Sequence, residues 1–343
     1  MREIPLSPEW IAGAVSFEPT GGGLKPWRLP AGQLGLFDEK LIEKAEMAAG
    51  VRVQATTEAS AIELVVAPDR QERPFDLAVG GQLVRAARLP AGQEVMRFDV
   101  LPAGRKSVEI WLSHVHPVVL KAVRIDAGSA AALDDKRPRW VTYGSSITHC
   151  ADSYSPARTW PALVARRHGL HLTCLGYGGC AHLEPLVGMM IRDLSADWIS
   201  LKLGINTHAD SLNCRTFKWA AVGLVRIIRE KQPAVPITLI SPVISLPRET
   251  GQVGRPDWTL VHLREELADA ARRLQAAGDP NLVYVDGLKL FGPDLAAGGY
   301  MPDDLHPNAA GYEHLAENFS RHVVKRHLPG HLSSLQSRGG GVR

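Results

Sequence analysis

Ser146 is the first residue in this sequence whose type and setting suggest covalent chemistry. It lies in the run Gly144-Ser145-Ser146-Ile147-Thr148, which directly follows the apolar segment Trp140-Val141-Thr142-Tyr143. A strand that ends in a turn of small residues presents a serine hydroxyl at the edge of a sheet, and the turn leaves backbone N–H groups free to face an oxyanion. Gly-Ser-Ser turns are also common in proteins, so a plain turn is the alternative interpretation of this segment.

A histidine and an aspartate near the end of the chain are suited to activate such a serine. They lie in the run Asp303-Asp304-Leu305-His306-Pro307, just before the last predicted helix. His306 could act as general base for Ser146, and Asp303 could hold the imidazole in the required tautomer. Because Asp and His are frequent in loops, this run alone is a modest signal.

Two further segments carry groups that suit a developing negative charge. Gly176-Tyr177-Gly178-Gly179-Cys180 and Gly204-Ile205-Asn206 each follow a predicted strand. Glycine allows the backbone to approach a ligand closely, and the side-chain amide of Asn206 can donate a hydrogen bond to an oxyanion. Taken alone, the first segment is equally a flexible loop, and the second is equally a turn.

Strand-like and helix-like segments alternate in the second half of the chain. We predict strands at 140–143, 171–175, 198–203, 237–240 and 282–285, and helices at 159–168, 183–193, 216–231, 259–277 and 309–326. This alternation is typical of a parallel sheet with helices on both faces. Ligands bind beyond the carboxyl ends of the strands in such folds, and we expect the four segments above to lie there.

Residues 1–130 have a different pattern, in which short alternating runs are separated by turn residues. This pattern predicts a β-sandwich, with a more helix-like insertion at 37–50. We therefore predict an N-terminal β-sandwich domain at 1–130 and a catalytic domain at 139–327. The remaining segment, 328–343, is rich in Ser and Gly, and we predict that it is a flexible tail.

Together, the four chemistry-bearing segments resemble in order and spacing the four sequence blocks of the SGNH hydrolases, also called the GDSL esterase/lipase family. Ser146 matches the nucleophile of the Gly-Asp-Ser-Ile-Thr block, Gly179 the second-block glycine and Asn206 the third-block asparagine, while Asp303 and His306 match the Asp-x-x-His-Pro block. The resemblance implies a three-layer α/β/α fold with a flavodoxin-like parallel sheet. It also implies a Ser146–His306–Asp303 triad, and an oxyanion hole formed by the backbone N–H groups of Ser146 and Gly179 and the amide of Asn206.

The sequence departs from the family pattern at two places. Ser145 stands where the family usually has Asp, but that Asp is not the proton-transfer partner, so the chemistry need not change. Cys174 and Cys180 stand where members often have Asn around the second block. This second departure affects loop hydrogen bonding and pocket shape rather than the catalytic set.

Other stretches resemble a branch of the family in which a jelly-roll-like N-terminal β-sandwich precedes the catalytic domain. These stretches are 26–30, 143–149, 159–164, 204–207 and 303–307. The branch includes a GDSL-type acyltransferase of tetracycline biosynthesis. A carbohydrate acetylesterase family shares the two-domain layout, so architecture alone does not choose between these activities.

Four side chains are candidates for contact with a substrate. His149, Tyr177 and His182 flank the first two blocks, and Trp27 lies in the predicted sandwich, in the run Pro26-Trp27-Arg28. Each of the four also has a plainer interpretation as a polar loop residue or a core residue.

Composition and charge argue against several classes of protein. The 39 basic and 36 acidic residues are mixed along the chain and give a net charge of +3, whereas nucleic-acid-binding proteins usually concentrate basic charge on one face. No apolar run approaches the roughly 20 residues of a membrane helix, and the first residues lack a signal-peptide pattern. We therefore expect a cytoplasmic protein with neither nucleic-acid nor membrane partners. The four cysteines show no zinc-like spacing, so we expect no metal ion.

From these patterns we expect a serine-dependent acyl-ester hydrolase that acts on a small-molecule or natural-product ester without a cofactor. The alternative is an acyltransferase, with acyl-CoA or another thioester as co-substrate and a natural-product hydroxyl as acceptor. A carbohydrate acetylesterase and a non-catalytic sugar-binding protein are further alternatives. The expected partners are a small-molecule ester or an acyl donor and acceptor, and the sequence leaves a homodimer open.

Overall fold

The computed structural model describes residues 1–126, 128–209 and 211–325. The chain forms two compact units. The first comprises Met1–Lys136 and Tyr154–Cys174, and the second comprises Arg137–Ser153 and the described residues from Leu175 to Lys325. The predicted tail at 328–343 lies outside the described residues.

Two antiparallel sheets with a common core form the first unit. The strands are β1 (Arg2–Pro5), β2 (Ile11–Ala12), β3 (Ser16–Thr20), β4 (Gly23–Trp27), β5 (Arg52–Thr57), β6 (Ile62–Val66), β7 (Arg73–Val79), β8 (Gln82–Leu89), β9 (Val95–Phe98), β10 (Lys106–Trp111), β11 (Leu120–Ile125) and β12 (Ala130–Ala132). One sheet has the order β3-β4-β11-β6-β9, with β1 beside β11, and the other has the order β12-β5-β10-β7-β8, with β2 beside β5. Leu64 and Val123 of the first sheet and Phe75 and Ile110 of the second belong to one buried cluster. The two sheets therefore pack face to face, and the predicted β-sandwich is confirmed.

Apolar side chains set the register of the central sandwich strands. Val53 pairs with Ile110, and Ile110 pairs with Leu77 on its other side. All three side chains are buried in the core. Because successive side chains of a strand point to opposite faces, a slip of one residue would turn them away from the core.

The segment Tyr154–Cys174 groups with the sandwich and not with the residues that flank it in sequence. It contains α3 (Trp160–Arg167). The buried carboxylate of Asp76 on β7 accepts hydrogen bonds from the Ser155 hydroxyl and the Ala157 N–H. The predicted domains at 1–130 and 139–327 stay predictions. Because the bonded residues are 79 and 81 positions apart in the chain, no local sequence pattern predicts these hydrogen bonds.

A five-stranded sheet runs through the second half of the sequence. Its strands are β13 (Arg139–Gly144), β14 (His171–Gly176), β15 (Trp198–Lys202), β16 (Ile237–Ile240) and β17 (Leu282–Val285). The order β14-β13-β15-β16-β17 is the 2-1-3-4-5 order of flavodoxin-like folds. The pairs β13–β15, β15–β16 and β16–β17 are parallel. The predicted α/β class is confirmed, and each predicted strand agrees with the observed one to within one residue.

The helices also follow the predicted pattern. Besides α3, they are α1 (Glu39–Glu46), α2 (Ser146–His149), α4 (Pro185–Asp193), α5 (Ile205–Ala209), α6 (Phe217–Arg229), α7 (Leu246–Glu249), α8 (Leu260–Ala276), α9 (Pro293–Leu295) and α10 (Ala309–Phe319). Short 3-10 turns occur at Pro8–Trp10, Ala31–Leu36, Pro156–Arg158 and Gly287–Lys289, and π-helical turns at Ala296–Tyr300 and Ser320–Val324. The long helices of the second half match the predicted ranges, whereas the short helices α2, α5, α7 and α9 have no predicted counterpart.

Aromatic side chains fix the last helix against the parallel sheet. The rings of Trp140 on β13 and Trp198 on β15 stack with centroids 5.2 Å apart. Phe319, the last residue of α10, packs against both rings. Since α10 follows the loop that carries His306, this packing fixes one end of that loop.

None of the helices in the described part of the chain is long and apolar enough to cross a membrane. No disulfide joins any of the four cysteines, all of which lie within the described residues.

Lys202 is a buried cation at the carboxyl end of β15, only 3% exposed. Burial lowers its pKa from 10.5 to about 8, and the nearby thiol of Cys150 only partly opposes this effect. At pH values below about 8 the folded protein therefore holds a poorly solvated ammonium group. Between pH 8 and 10.5 the unfolded chain keeps the proton that the folded chain has lost, so the free energy of unfolding rises with pH across this window.

We predict that Lys202→Met stabilises the protein at pH 7, because it removes this desolvation cost. The gain in the free energy of unfolding should be up to about 3 kcal/mol and should shrink between pH 8 and 10.5. Chemical denaturation of both proteins across pH 6–10.5 measures it, with the exposed Lys231→Met as control. A loss of stability at pH 7 with an unchanged pH dependence would contradict the prediction.

Candidate active site

Ser146 opens a one-turn helix directly after β13. Ser145 is the N-cap of α2, and its hydroxyl accepts a hydrogen bond from the Ile147 N–H at 3.3 Å. Ser and Asp are both favourable N-caps, which explains how Ser145 can replace the family's usual Asp. Because Ser145 is occupied as a cap, the half-buried Ser146 is the serine whose hydroxyl reaches outward.

The hydroxyl of Ser146 meets a histidine and a carboxylate in one line of hydrogen bonds. Ser146 Oγ lies 2.9 Å from His306 Nε2. On the other side of the ring, His306 Nδ1 lies 2.7 Å from Asp303 Oδ2. The second carboxylate oxygen of Asp303 accepts the backbone N–H groups of His306 at 2.6 Å and Leu305 at 3.0 Å. The structure thus brings together the three residues that the sequence singled out for this relay.

The pKa of Asp303 is consistent with its role as the carboxylate that bonds His306. Burial alone would raise the pKa of Asp303, but hydrogen bonds from the backbone and ring of His306 and from the Leu305 N–H lower it below its usual value. Asp303 is therefore a carboxylate at neutral pH and accepts the Nδ1–H of His306. With Nδ1 bonded to this carboxylate, Nε2 is the ring nitrogen that faces the hydroxyl of Ser146.

The loop after β14 lies beside the nucleophile. Its Tyr177 N–H donates to the Gly144 carbonyl at 2.8 Å, which ties the start of the loop to the end of β13. A Cβ placed on Gly178 would lie 3.6 Å from that of Ser146, and Gly179 has a φ of +76°. Glycine adopts such a positive φ without strain.

Asn206 approaches from the other side, on α5 after β15. Its Oδ1 accepts the Ala181 N–H at 3.1 Å. Because this bond occupies the carbonyl end of the side chain, the amide nitrogen is the end left to donate. The N–H of Ser146 is also available, since the first N–H groups of a helix lack intrahelical acceptors.

Only one of the four candidate substrate contacts has an accessible side chain. His182 is partly exposed; its Nε2 lies 3.0 Å from the Gly179 carbonyl and its Nδ1 2.7 Å from the Ser211 hydroxyl. His149 is 3% exposed and Tyr177 is fully buried.

Trp27 is also buried, at 2% exposure, and its indole N–H donates to Glu18 at 2.8 Å. In the structure neither Trp27 nor Tyr177 exposes its ring, and their contact with a substrate stays a prediction. Both rings serve the core, and the sequence could not distinguish an aromatic residue that lines a pocket from one that fills the interior.

Sequence reasoning missed a polar residue that contacts the loop at residues 303–307, called the histidine loop below. Ser245 is buried, and its hydroxyl donates to the carbonyl of Asp304 at 2.6 Å. The one available signal was its position before Leu246-Pro247, since a Ser followed by a Pro in the first turn marks a helix start. Within the described residues, no group of three His, Cys, Asp or Glu side chains could hold a metal ion.

Chemically, the arrangement has the parts needed for acyl transfer through a serine. A hydroxyl lies within hydrogen-bond reach of an imidazole, a carboxylate accepts a hydrogen bond from the other side of that ring, and the loops that carry Gly179 and Asn206 follow the neighbouring strands. Such a combination activates the hydroxyl and stabilises an oxyanion at a carbonyl carbon.

Comparison with known proteins agrees with this site. Residues 142–314 match the GDSL-like Lipase/Acylhydrolase family, and residues 10–121 match the N-terminal domain of SsfX3. No curated protein sequence matches the chain.

Solved structures resemble both halves of the chain. The salicylyl-acyltransferase SsfX3 from a tetracycline biosynthetic pathway is 33% identical, with a TM-score of 0.86, over 94% of this chain and 97% of that one. A putative GDSL-like lipase from Bacteroides ovatus is 19% identical, with a TM-score of 0.76, over 94% and 97% of the two chains. A family two carbohydrate esterase from Clostridium thermocellum is 15% identical, with a TM-score of 0.67, over 92% and 98%. The last two show a common fold. From the matched family and the SsfX3 likeness, the chain belongs to the GDSL-like lipase/acylhydrolase family and carries an SsfX3-type N-terminal domain.

Proposed function

We propose that this protein is a serine-dependent carboxylic ester hydrolase that acts on a small-molecule or natural-product ester through an acyl-enzyme on Ser146. The observation that carries the proposal is the line of contacts from Ser146 Oγ to His306 Nε2 at 2.9 Å and from His306 Nδ1 to Asp303 at 2.7 Å. These distances are within hydrogen-bond reach, as nucleophile, base and orienting carboxylate require.

In the first half of the reaction, Ser146 Oγ attacks the ester carbonyl and His306 Nε2 accepts its proton. Asp303 remains ionised and stabilises the imidazolium. The N–H groups of Ser146 and Gly179 and the amide of Asn206 donate to the oxyanion. When the C–O bond of the ester breaks, the leaving alkoxide takes the proton from His306, and the acyl group stays on Ser146.

The second half repeats these steps with a new nucleophile. Water attacks the acyl-Ser146 carbonyl while His306 takes a proton from it, and the same donors hold the oxyanion. Collapse releases the carboxylic acid, and His306 returns the proton to Ser146. The cycle needs no metal ion or organic cofactor.

Acyl transfer is the second candidate function, and one specific observation favours it. The 33% identity with the salicylyl-acyltransferase SsfX3 extends over 94% of this chain, so it includes both compact units. In this case acyl-CoA or another thioester loads Ser146, and a hydroxyl of a natural product replaces water. The presence of the full Ser, Gly, Asn, Asp and His set argues against a binding protein without catalysis.

We predict that a serine-reactive fluorophosphonate modifies Ser146 and not its neighbour. The contact with His306 activates Ser146, whereas Ser145 is held as a helix cap. Peptide mapping by mass spectrometry should find the adduct in the wild type and in Ser145→Ala, but not in Ser146→Ala. Modification of Ser145 would overturn the assignment.

We predict that Asn206→Ala lowers kcat about 10²–10³-fold and changes KM little, because the lost donor acts on the oxyanion of the transition state. Steady-state kinetics with p-nitrophenyl acetate measures both constants. Asn318→Ala, which removes an amide bonded to the Leu290 carbonyl of the same unit, is the matched control. Equal kcat values for the two variants would exclude Asn206 from the oxyanion hole.

The choice between hydrolysis and transfer can be tested with acyl-CoA, with and without phenolic or alcoholic acceptors. The hydrolase proposal predicts that free acid is the main product and that its rate of release is unaffected by the acceptor. Ester product in excess of free acid, dependent on Ser146, would replace it with the acyltransferase candidate. A wild type that turns over neither p-nitrophenyl acetate nor acyl-CoA would count against both.

A further inference from the structure

A buried hydroxyl from another element holds the backbone between Asp303 and His306. Ser245 is 1% exposed and donates to the Asp304 carbonyl at 2.6 Å. Asp304 has a φ of +57°, a left-handed conformation that is sterically unfavourable for a non-glycine residue. The bond therefore reaches the loop at its most strained residue, one position from Asp303 and two from His306.

The position of Ser245 in its own element makes this bond informative. Ser245 is the N-cap of α7, yet its side chain makes no capping hydrogen bond to that helix. An N-cap serine usually accepts the N–H of the second or third helical residue. Here the Ser245 hydroxyl donates to the histidine loop and does not cap its own helix.

A guanidinium fixes the direction in which the Ser245 hydroxyl donates. Arg248 Nη1 donates to Ser245 Oγ at 3.0 Å. Since a guanidinium can only donate, Ser245 must accept on that side, and its single proton is left for the Asp304 carbonyl. The two bonds define one orientation of the side chain.

An ion pair on a long helix holds the same segment from behind. Glu249, the last residue of α7, pairs with Arg264 of α8, which is 8% exposed. Arg264 also donates to the Pro242 carbonyl at 3.3 Å. The segment that presents Ser245 is thus fixed at both ends to a helix of 17 residues.

The hydrogen bonds within the histidine loop join Asp303 to His306 and do not attach the loop to another element. The Asp303 carboxylate accepts the ring and backbone N–H groups of His306, which fixes these two residues relative to each other. The reaction also requires that His306 Nε2 be held against Ser146 Oγ on α2. The bond from Ser245 ties the loop to a separate element and so opposes its displacement as a whole.

We propose that Ser245 is a positioning residue, which keeps the Asp303–His306 pair in register with Ser146 by holding the Asp304 carbonyl. The proposal rests on the proposed serine acyl-enzyme function. The transition state requires the closest alignment of His306 with Ser146. Removal of the Ser245 hydroxyl should therefore lower kcat more than it changes KM.

The test compares Ser245→Ala with Ser245→Thr and with a matched control, by p-nitrophenyl acetate kinetics and by the rate of fluorophosphonate labelling of Ser146. We expect Ser245→Ala to lower kcat and the labelling rate about 10-fold with KM nearly unchanged, and Ser245→Thr, which keeps the hydroxyl, to restore most of both. Ser241→Ala is the control, because Ser241 is also fully buried and its hydroxyl accepts the Gly287 N–H at 2.9 Å. It should lower thermal stability without a comparable loss of kcat.

A double-mutant cycle separates positioning from a general structural effect. If Ser245 acts through Asp303 and His306, adding Ser245→Ala to Asp303→Ala should lower the residual labelling rate less than about 2-fold. A full 10-fold effect in both backgrounds, or a Ser245→Ala variant with unchanged kcat and labelling, would overturn the proposal. If Ser146 of the wild-type protein is not labelled at all, the proposed function fails, and this inference fails with it. If Ser146 is labelled but Ser245→Ala has no effect, the inference alone fails.

Discussion

The hydrogen bond between Ser146 and His306 joins residues 160 positions apart. The order of the parallel sheet brings two further sequence blocks to the same nucleophile. The nucleophile follows β13, which lies between β14 and β15. The loops after those two neighbours carry Gly179 and Asn206, so they arrive on both sides of Ser146. Because the carboxyl ends of neighbouring parallel strands meet at one edge of a sheet, three of the four sequence blocks converge without any long insertion.

Strained backbone is concentrated around this contact. Among the described residues, Cys150, Leu183 and Asp304 are the non-glycine residues with positive φ. Cys150 ends the helix of the nucleophile, Leu183 follows the glycine loop and Asp304 lies inside the histidine loop. Hydrogen bonds hold two of these positions: the Leu183 N–H donates to the Tyr143 hydroxyl, and Ser245 binds the Asp304 carbonyl. Strain of this kind persists only where the surrounding structure over-determines it, and here the three residues lie in or beside segments that carry candidate catalytic groups.

The sequence predicts those features that depend on local pattern and on the order of motifs. Alternating apolar residues give the sandwich strands, continuous apolar runs give β13 to β17, and the spacing of the four blocks identifies Ser146, His306 and Asp303. The features that it misses depend on contacts distant in sequence. Asp76 draws the segment around Ser155 to the sandwich, and the rings of Trp27 and Tyr177 are buried.

Ser245 shows the same limit in the catalytic half. Its local sequence indicates a helix start, and the structure confirms that α7 begins there. The partner of its hydroxyl lies 59 positions further on, and no pattern around either residue reveals the other. The local sequence therefore predicts that Ser245 begins a helix, but only the folded structure shows its contact with the histidine loop.

The most direct measurement of the central claim is rapid-quench mass spectrometry of the enzyme during ester turnover. Trypsin should release the nucleophile in the peptide that spans residues 140–158. The account predicts that this peptide gains the mass of the acyl group, that fragmentation places the group on Ser146, and that Ser146→Ala abolishes it. Turnover without a covalent species, or an acyl group on Cys150 of the same peptide or on any other residue, would contradict the account.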